Sequence, residues 1–255
     1  MNVVITGASS GIGAGLVKHY AQEGNHLFLL ARRLDRLQSL QILAQGLGAE
    51  VTLFEADVTN FDSLSHIAKE LSTQQLDLII LNAGISTGHG SDNPPFSLAK
   101  AVYDTNFVHL HAFLEPIIPK LKEQKEGQVV FISSLASLLT MPTSMVYGSS
   151  KRAMNAYAEG LRFMLKPFNI DVTTIKPGFI VSELTDKNDF KMPFILPLDK
   201  GVAIIAKAIK KRKRIYAFPL RFVIIIKLLN ALPFFLREKI VSYRSFSKEI
   251  GDSSR

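Results

Sequence analysis

Short runs of aliphatic and β-branched residues recur along most of the chain, separated by longer stretches whose apolar residues follow a helical spacing. Several of these runs are apolar throughout, which is typical of strands that are covered on both faces. This alternation predicts βαβ units that build a doubly wound, largely parallel sheet in an α/β protein. The predicted strands are VVIT at 3–6, LFLL at 27–30, VTLF at 51–54, LIIL at 78–81, VVFI at 129–132 and VTTI at 172–175.

Two later segments depart from this alternation. Residues 179–199 contain Pro193 and Pro197 among large apolar side chains, including Phe190, and they predict a long loop beside a substrate. Residues 215–249 form an apolar C-terminal extension that follows the basic run KKRKR.

The stretch 215–236 is apolar enough to raise the question of a membrane. A helix between Pro219 and Pro233 would rise only about 20 Å, whereas the hydrocarbon core is about 30 Å thick. We therefore do not expect a transmembrane span. Two alternatives stay open, namely a helix packed against the core or a subunit, and an interfacial helix whose basic neighbours meet anionic lipid.

Composition narrows the class of protein. The 255 residues can bury one sizeable core, so we expect a single domain over 1–255. The absence of cysteine excludes disulfides and thiolate metal sites, and we expect no metal ion. Despite the net charge of +8, no recognition motif accompanies the basic residues, so we expect no nucleic acid as partner. The N-terminus lacks a secretory signal pattern, which favours a cytoplasmic protein, with the inner face of a membrane as an alternative.

A glycine-rich turn, TGASSGIG at 6–13, follows the first predicted strand and precedes a helical pattern. Its glycines allow a tight turn and let backbone N–H groups approach a pyrophosphate at the helix N-terminus, as in the Rossmann fold. The alternative is a turn that needs glycine for its geometry alone. The predicted cofactor-binding residues here are Gly7, Ser9, Ser10, Gly11, Ile12 and Gly13.

The second predicted strand is followed by Arg32 and Arg33, where an NAD-binding protein would usually have an acidic residue. A guanidinium group matches the geometry of a phosphate, so the pair favours the 2′-phosphate of NADP over NAD. The alternative is that both arginines only begin a solvated helix.

Tyr147 and Lys151 are four residues apart in a segment, 146–164, that predicts a helix, so both should lie on one face. An ammonium beside a phenol favours the phenolate and lowers the pKa of the tyrosine. Ser134 ends the fifth predicted strand, at the sheet edge where parallel sheets bind ligands. The three residues predict proton transfer to or from an oxygen that Ser134 binds.

From Asn2 to Ser182 the chain resembles the classical short-chain dehydrogenase/reductase family. The matching features are TGASSGIG at 6–13, Asp57 in ADV, Asn82-Ala83-Gly84, Asn106 in YDTNF, Ser133-Ser134, the motif YGSSK at 147–151, and Pro177-Gly178.

The resemblance implies a catalytic tetrad. In it Asn106 supports a water in a proton relay, Ser134 orients the carbonyl, Tyr147 exchanges the proton, and Lys151 lowers the pKa of the tyrosine and binds the nicotinamide ribose. It also makes Arg32 the first candidate for the 2′-phosphate. The further cofactor contacts that it implies are Asp57, Val58, Asn82, Ala83, Gly84, Pro177, Gly178, Ile180 and Ser182.

The predicted function is therefore NADP-dependent hydride transfer between a nicotinamide and a carbonyl or alcohol carbon. A catalytically silent NADP-binding scaffold or sensor is the alternative from another class, and an epimerase or dehydratase is disfavoured by the glycine spacing. Apolar residues near the catalytic segment favour an apolar carbonyl or alcohol over a sugar, unless they belong to the core or an interface. The resemblance also implies dimers or tetramers through helices at 98–122 and 146–166.

Overall fold

Seven parallel strands form one sheet at the centre of the protein, with the order β3-β2-β1-β4-β5-β6-β7. The computed structural model describes residues 1–22, 24–87, 93–186, 188 and 191–242; Phe190 and residues 243–249, on which expectations were placed, lie outside them. The strands are β1 (Asn2–Thr6), β2 (His26–Ala31), β3 (Glu50–Glu55), β4 (Leu78–Leu81), β5 (Gln128–Ile132), β6 (Asp171–Pro177) and β7 (Ile215–Phe218).

The strands are connected mainly by helices. These are α1 (Gly11–Ala21), α2 (Leu34–Gly46), α3 (Phe61–Leu71), α4 (Phe96–Tyr103), α5 (His109–Leu114), α6 (Ile118–Gln124), α7 (Met145–Leu165), α8 (Leu198–Lys210) and α9 (Leu220–Ala231). Residues 234–242 are also helical.

The helices cover both faces of the sheet, which explains why the strands are apolar throughout. On β1, Val3 and Ile5 pack with residues of α1, α2 and α8, whereas Val4 packs with α3, α5 and α7 on the opposite face. Successive side chains of a strand point to opposite faces, so a sheet with two covered faces needs apolar residues at every position. The doubly wound, single-domain prediction is confirmed.

The strand β7 was not predicted. Its residues 215–218 were included in the apolar extension, whereas they pair in parallel with Thr174 to Pro177 of β6. The helix predicted between the two prolines is confirmed as α9, which begins directly after Pro219. The four residues of β7 are too few to show a periodicity distinct from that of the longer apolar run in α9. Only the pairing with β6 therefore identifies them as a strand.

Residues 98–122 are not one long helix. A π-helical turn at Asp104–Val108 separates α4 from α5, and a further turn precedes α6. The described residues between β6 and α8 form no helix or strand, and α8 begins at Leu198, one residue before the end of the segment 179–199.

The helix α9 is only partly packed. Val223 and Ile226 are buried in a small cluster with Leu135, and Asn230 Nδ2 donates to the carbonyl of Leu138 at 2.7 Å. The opposite side of the helix remains exposed. No helix in the described part of the chain combines the length and the apolar character needed to cross a bilayer.

Candidate active site

A cleft of about 370 Å³ opens at the carboxyl ends of the strands, within the usual size range of ligand pockets. The structure brings nearly all of the predicted site residues to this cleft; of them, Gly13 and Asn106 do not line it. The predicted residues that line it are Gly7, Ser9, Ser10, Gly11, Ile12, Arg32, Arg33, Asp57, Val58, Asn82, Ala83, Gly84, Ser134, Tyr147, Lys151, Pro177, Gly178, Ile180 and Ser182.

The glycine turn has a conformation that other residues would strain. Gly7 and Gly11 have φ angles of +64° and +52°, in the left-handed region. A Cβ atom on Gly7 would lie 2.8 Å from the Cα of Ala83, and one on Gly13 would lie 2.2 Å from the carbonyl oxygen of Gly7. Gly13 therefore allows α1 to pack against the turn, although it does not line the cleft.

Thr6 and Asn82 join the glycine turn to the end of β4. The hydroxyl of Thr6 accepts hydrogen bonds from the backbone N–H groups of Asn82 and Ala83, at 3.0 and 3.1 Å. The Asn82 amide donates to the carbonyls of Thr6 and Gly7, each at 3.1 Å. Asn82 thus holds the turn in place. The contact of Thr6 was not predicted, because a threonine at a strand end gives no distinct sequence signal.

The turn leads into the start of α1, where the side chain of Ser10 makes no capping hydrogen bond, and this arrangement fits a dinucleotide pyrophosphate. A turn of this shape offers backbone rather than side-chain donors to the ligand. The residues present therefore fit a nicotinamide dinucleotide.

Tyr147, Lys151 and Ser134 meet at the other end of the cleft. The first turns of α7 place the Lys151 Nζ atom 5.9 Å from the centre of the Tyr147 ring, as the four-residue spacing predicts. The Lys151 side chain is buried and donates to the carbonyl of Ile132 at 3.0 Å. Ser134 accepts a hydrogen bond from the N–H of Ala136 at 3.1 Å, so its hydroxyl stays at the end of β5.

The pKa of Tyr147 differs from the expectation. Burial of the phenol raises its pKa, and a hydrogen bond with Ser134 offsets only part of that rise. Burial also lowers the pKa of Lys151 to about 8. The expected lowering of the tyrosine pKa is not found, because the loss of water around the buried phenol raises the pKa by more than the Ser134 hydrogen bond lowers it.

Asn106 lies in the π-helical turn and is completely buried. Its Oδ1 accepts from the N–H of Ile85, while its Nδ2 donates to the carbonyl of Ile85 and to the hydroxyl of Ser150, all at 2.9 Å. A Cβ on Gly84 would lie 3.2 Å from both Asn106 Oδ1 and Lys151 Nζ. Asn106 therefore holds the segment after β4 next to Lys151.

Asp57 and two arginines line the cleft where β3 and β2 end. One oxygen of Asp57 accepts from the N–H and the hydroxyl of Thr59, at 2.9 and 2.7 Å, and the other lies 3.7 Å from Arg32 Nη1. Burial would raise the pKa of Asp57, but these hydrogen bonds and the Arg32 charge together keep it below its usual value. Arg33 donates to the Ser9 hydroxyl at 3.3 and 3.2 Å and to Glu183 at 2.9 Å.

Comparisons with known proteins agree with this geometry. The short chain dehydrogenase family model matches residues 1–192. The chain belongs to this family. It is 34% identical to an uncharacterized oxidoreductase of Myxococcus xanthus over 90% of this chain and 92% of that protein. It is 37% identical to 11-beta-hydroxysteroid dehydrogenase 1A of Arabidopsis thaliana over 74% of this chain and 54% of that protein.

Solved structures show the same fold. The short-chain dehydrogenase from Sphingobium yanoikuyae in complex with NADPH has a TM-score of 0.81 at 24% identity, and the alignment covers 91% of this chain and 96% of that one. A short chain dehydrogenase/reductase from Burkholderia phymatum in complex with NAD has a TM-score of 0.80 at 20% identity, with 90% and 92% covered. The protein is a nicotinamide-dependent short-chain dehydrogenase/reductase.

Two further residues of this dehydrogenase were missed by the sequence analysis. The buried Thr185 hydroxyl accepts from the N–H of Ser182 and donates to the carbonyl of Ile180, at 2.8 and 2.9 Å, which holds the loop after β6 against the cleft. Glu183 lines the cleft beside Arg33. A hydroxyl three residues after Ser182 is typical of a side-chain turn and could have identified Thr185, but no sequence signal identifies Glu183.

Proposed function

We propose that this dehydrogenase uses NADP to reduce a carbonyl group, or oxidise a secondary alcohol, on an apolar substrate. The observation that carries the proposal is that Tyr147, Ser134 and Lys151 meet at one end of a cleft whose other end holds the glycine turn and Arg32. This arrangement supports turnover rather than a silent scaffold, because every position of the proposed tetrad is filled.

The proposed roles follow from these contacts. A bound nicotinamide supplies or accepts the hydride. The Ser134 hydroxyl donates to the substrate oxygen, and the Tyr147 hydroxyl gives its proton to that oxygen during reduction. The buried Lys151 ammonium binds the ribose and favours the phenolate that remains. Asn106 keeps the backbone near Gly84 in position and supports a water beside Lys151.

The preference for NADP rests on charge. Arg32 follows β2, is 68% exposed along its side chain, and has an ionic contact of 3.7 Å with Asp57. A phosphate would offer it a shorter, charge-assisted hydrogen bond, which contributes roughly 1.5 to 3 kcal/mol, or about tenfold to a hundredfold in affinity. Arg32→Asp is expected to shift the coenzyme preference by about that factor toward NADH, measured as the ratio of kcat/KM values. An unchanged ratio would exclude Arg32 from this role.

The apolar character of the substrate is supported by aromatic residues beside the catalytic end. Phe222 of α9 stacks on Phe179 at 6.1 Å and lies 5.9 Å from Phe194, measured between ring centres, so these three rings form one apolar group. Together with Leu135 and Leu138 this group favours an apolar ketone, aldehyde or alcohol over a sugar.

Oxidation of NADPH with a panel of carbonyl compounds tests the function. We expect turnover with apolar ketones or aldehydes, little with sugars, and a slower rate with NADH. Tyr147→Phe is the control, since it keeps the ring and removes the proton donor, and it should lower kcat about a hundredfold or more. Activity of this variant within a few-fold of wild type would exclude the proposed acid, and turnover of sugars alone would exclude the proposed substrate class.

We also propose that the protein is cytoplasmic and contacts the inner face of a membrane through α9 and residues 234–242. Leu220, Leu228, Phe234 and Phe235 are each about two thirds exposed, at 68%, 65%, 68% and 67%. The cations Arg221, Lys227, Arg237 and Lys239 share these two helices with the single acid Glu238. An exposed apolar surface with surrounding cations is complementary to anionic lipid, where each cation contributes about 1 kcal/mol.

Sedimentation with vesicles tests this contact. The protein should pellet with phosphatidylglycerol vesicles at low salt, remain in solution with phosphatidylcholine, and be released at high salt. Leu228→Ser with Phe234→Ser should weaken pelleting, whereas Ile42→Ser, at an exposed apolar position on α2, should not. Failure to pellet at low ionic strength would contradict the proposal, as would a stable dimer in vesicle-free solution that the double variant dissociates.

A further inference from the structure

The loop after β6 is joined to the opposite wall of the coenzyme cleft by one carboxylate. Glu183 Oε2 accepts from Arg33 Nη1 at 2.9 Å, and Oε1 accepts from Arg36 Nη1. Arg33 follows β2 and Arg36 lies in the first turn of α2, about 150 positions away from Glu183 in the sequence. The contact therefore links two walls of the cleft.

The same contact occupies a site with phosphate-binding chemistry. The guanidinium groups of Arg33 and Arg36 contact the Glu183 carboxylate, and the Ser9 hydroxyl contacts Arg33. Two guanidinium groups and a hydroxyl are donors of the kind that bind a phosphate monoester. Glu183, Arg33 and Ser9 all line the cleft. The hydrogen bonds from Arg36 and Arg33 keep the pKa of Glu183 below its usual value, so the group is ionised at neutral pH.

Arg32 provides the contrast within the same cleft. It is largely exposed, and its acidic partner Asp57 is 3.7 Å away. Arg33, by comparison, donates hydrogen bonds from Nε and Nη2 to the Ser9 hydroxyl and from Nη1 to Glu183. A ligand phosphate can approach Arg32 without displacing a short bond, but it can reach Arg33 only by replacing Glu183 or by lying next to its negative charge.

We propose that Glu183 is an internal competitor for the coenzyme 2′-phosphate and thereby sets how strongly the enzyme distinguishes NADP from NAD. This inference rests on the proposed use of NADP at this site. A 2′-phosphate carries up to two negative charges and competes with the carboxylate for Arg33. NAD has only a hydroxyl at this position, so the ion pair stays intact and keeps the loop at Ser182 closed over the coenzyme. The competition lowers NADP affinity and leaves NAD affinity unchanged or raised.

Equilibrium binding of NADPH and NADH to the full-length protein tests the inference. Glu183→Gln removes the charge and nearly preserves the shape of the side chain. Because the pair is solvent-exposed, we expect a modest gain, roughly threefold to tenfold tighter NADPH binding, with NADH binding unchanged or weaker. Asp171→Asn is a matched control, since Asp171 is equally exposed, at 48%, and pairs with Arg212 at 2.7 Å at the other end of β6. The control should change neither affinity.

A double variant separates competition from a purely structural role. If Glu183 acts by competing for Arg33, the gain from Glu183→Gln should be lost in an Arg33→Ala background. A gain that persists there, equal weakening of both coenzymes by Glu183→Gln, or no change in either would overturn the inference.

The coenzyme preference and the competition by Glu183 can fail separately in these measurements. If wild type binds NADH more tightly and Arg32→Ala changes nothing, the proposed coenzyme preference is wrong. Glu183→Gln would still shift the ratio toward NADPH if the competition exists. If wild type prefers NADPH and Glu183→Gln leaves the ratio unchanged, only the competition is wrong.

Discussion

Burial shifts the pKa values of Tyr147 and Lys151 so that both groups favour their neutral forms. It raises the pKa of Tyr147 and lowers that of Lys151 to about 8, so both groups are pushed toward their neutral forms. The Lys151 ammonium donates to the Ile132 carbonyl, which keeps it beside the tyrosine. Where both groups are buried, a phenolate and an ammonium form most easily together, because each then offsets the other's loss of water.

Lys151→Ala tests this coupling at the residue scale. Loss of the side chain should lower kcat and also weaken coenzyme binding, because the same ammonium is proposed to serve proton transfer and the ribose. Tyr147→Phe, by contrast, should lower kcat and leave the dissociation constant of the coenzyme unchanged. The dissociation constants can be measured by titration of nucleotide fluorescence. If Lys151→Ala binds the coenzyme as wild type does, the ribose contact has to be abandoned.

At the scale of elements, a close approach between backbones shapes the coenzyme end. The start of α1 lies directly against the preceding turn, because Gly13 has no Cβ to collide with the carbonyl of Gly7. At the catalytic end, the π-helical turn between α4 and α5 turns Asn106 toward the backbone of Ile85. The first feature requires a residue without a side chain at Gly13, and the second requires the side-chain amide of Asn106.

Gly13→Ala and Gly160→Ala are a matched pair for this argument. Both glycines lie in helices, but a Cβ at Gly13 would be 2.2 Å from the Gly7 carbonyl, whereas one at Gly160 would meet nothing within 4 Å. Gly13→Ala should destabilise the fold by about 1 to 3 kcal/mol and weaken coenzyme binding. Gly160→Ala should stabilise it by about 0.5 to 1 kcal/mol. Chemical unfolding measures both, and similar changes in the two variants would contradict the argument.

At the scale of the whole molecule, one buried histidine makes stability depend on pH. His109 on α5 is fully buried, and its pKa is lowered to about 3, first by burial and second by the nearby Lys151 charge. In the unfolded chain the pKa of histidine is about 6.5, so protons bind the unfolded state preferentially between these values. The stabilising effect of neutral His109 is therefore complete above pH 6.5 and is lost as the pH falls toward 3.

His109→Leu should flatten this dependence. The free energy of unfolding of wild type should fall by up to about 1.4 kcal/mol per pH unit from this group below pH 6.5. The leucine variant should show a smaller slope between pH 6.5 and 4. His66→Gln, at an exposed position on α3, should keep the wild-type slope. Parallel curves for wild type and His109→Leu would show that the histidine does not set the acid sensitivity.

The amino-acid sequence by itself determined the strands β1 to β6, the glycine turn and the pairing of Tyr147 with Lys151. These features depend on local spacing, because a strand repeats every two residues, a helix every 3.6, and a turn needs glycine at fixed positions. The family motifs predicted a set of site residues, and nearly all of them line one cleft, because the ends of parallel strands meet at one edge of the sheet.

Only the tertiary structure decided the features that depend on contacts between distant segments. β7 forms because it pairs with β6. α9 is partly exposed because only Val223 and Ile226 of this helix are buried in the small cluster with Leu135. The raised pKa of Tyr147 results from burial, which no spacing reveals. The bond from Glu183 to Arg33 joins residues 150 positions apart, and a single exposed acid has no pattern that could predict its partner. Each of these features depends on residues that are close in space but distant in the sequence.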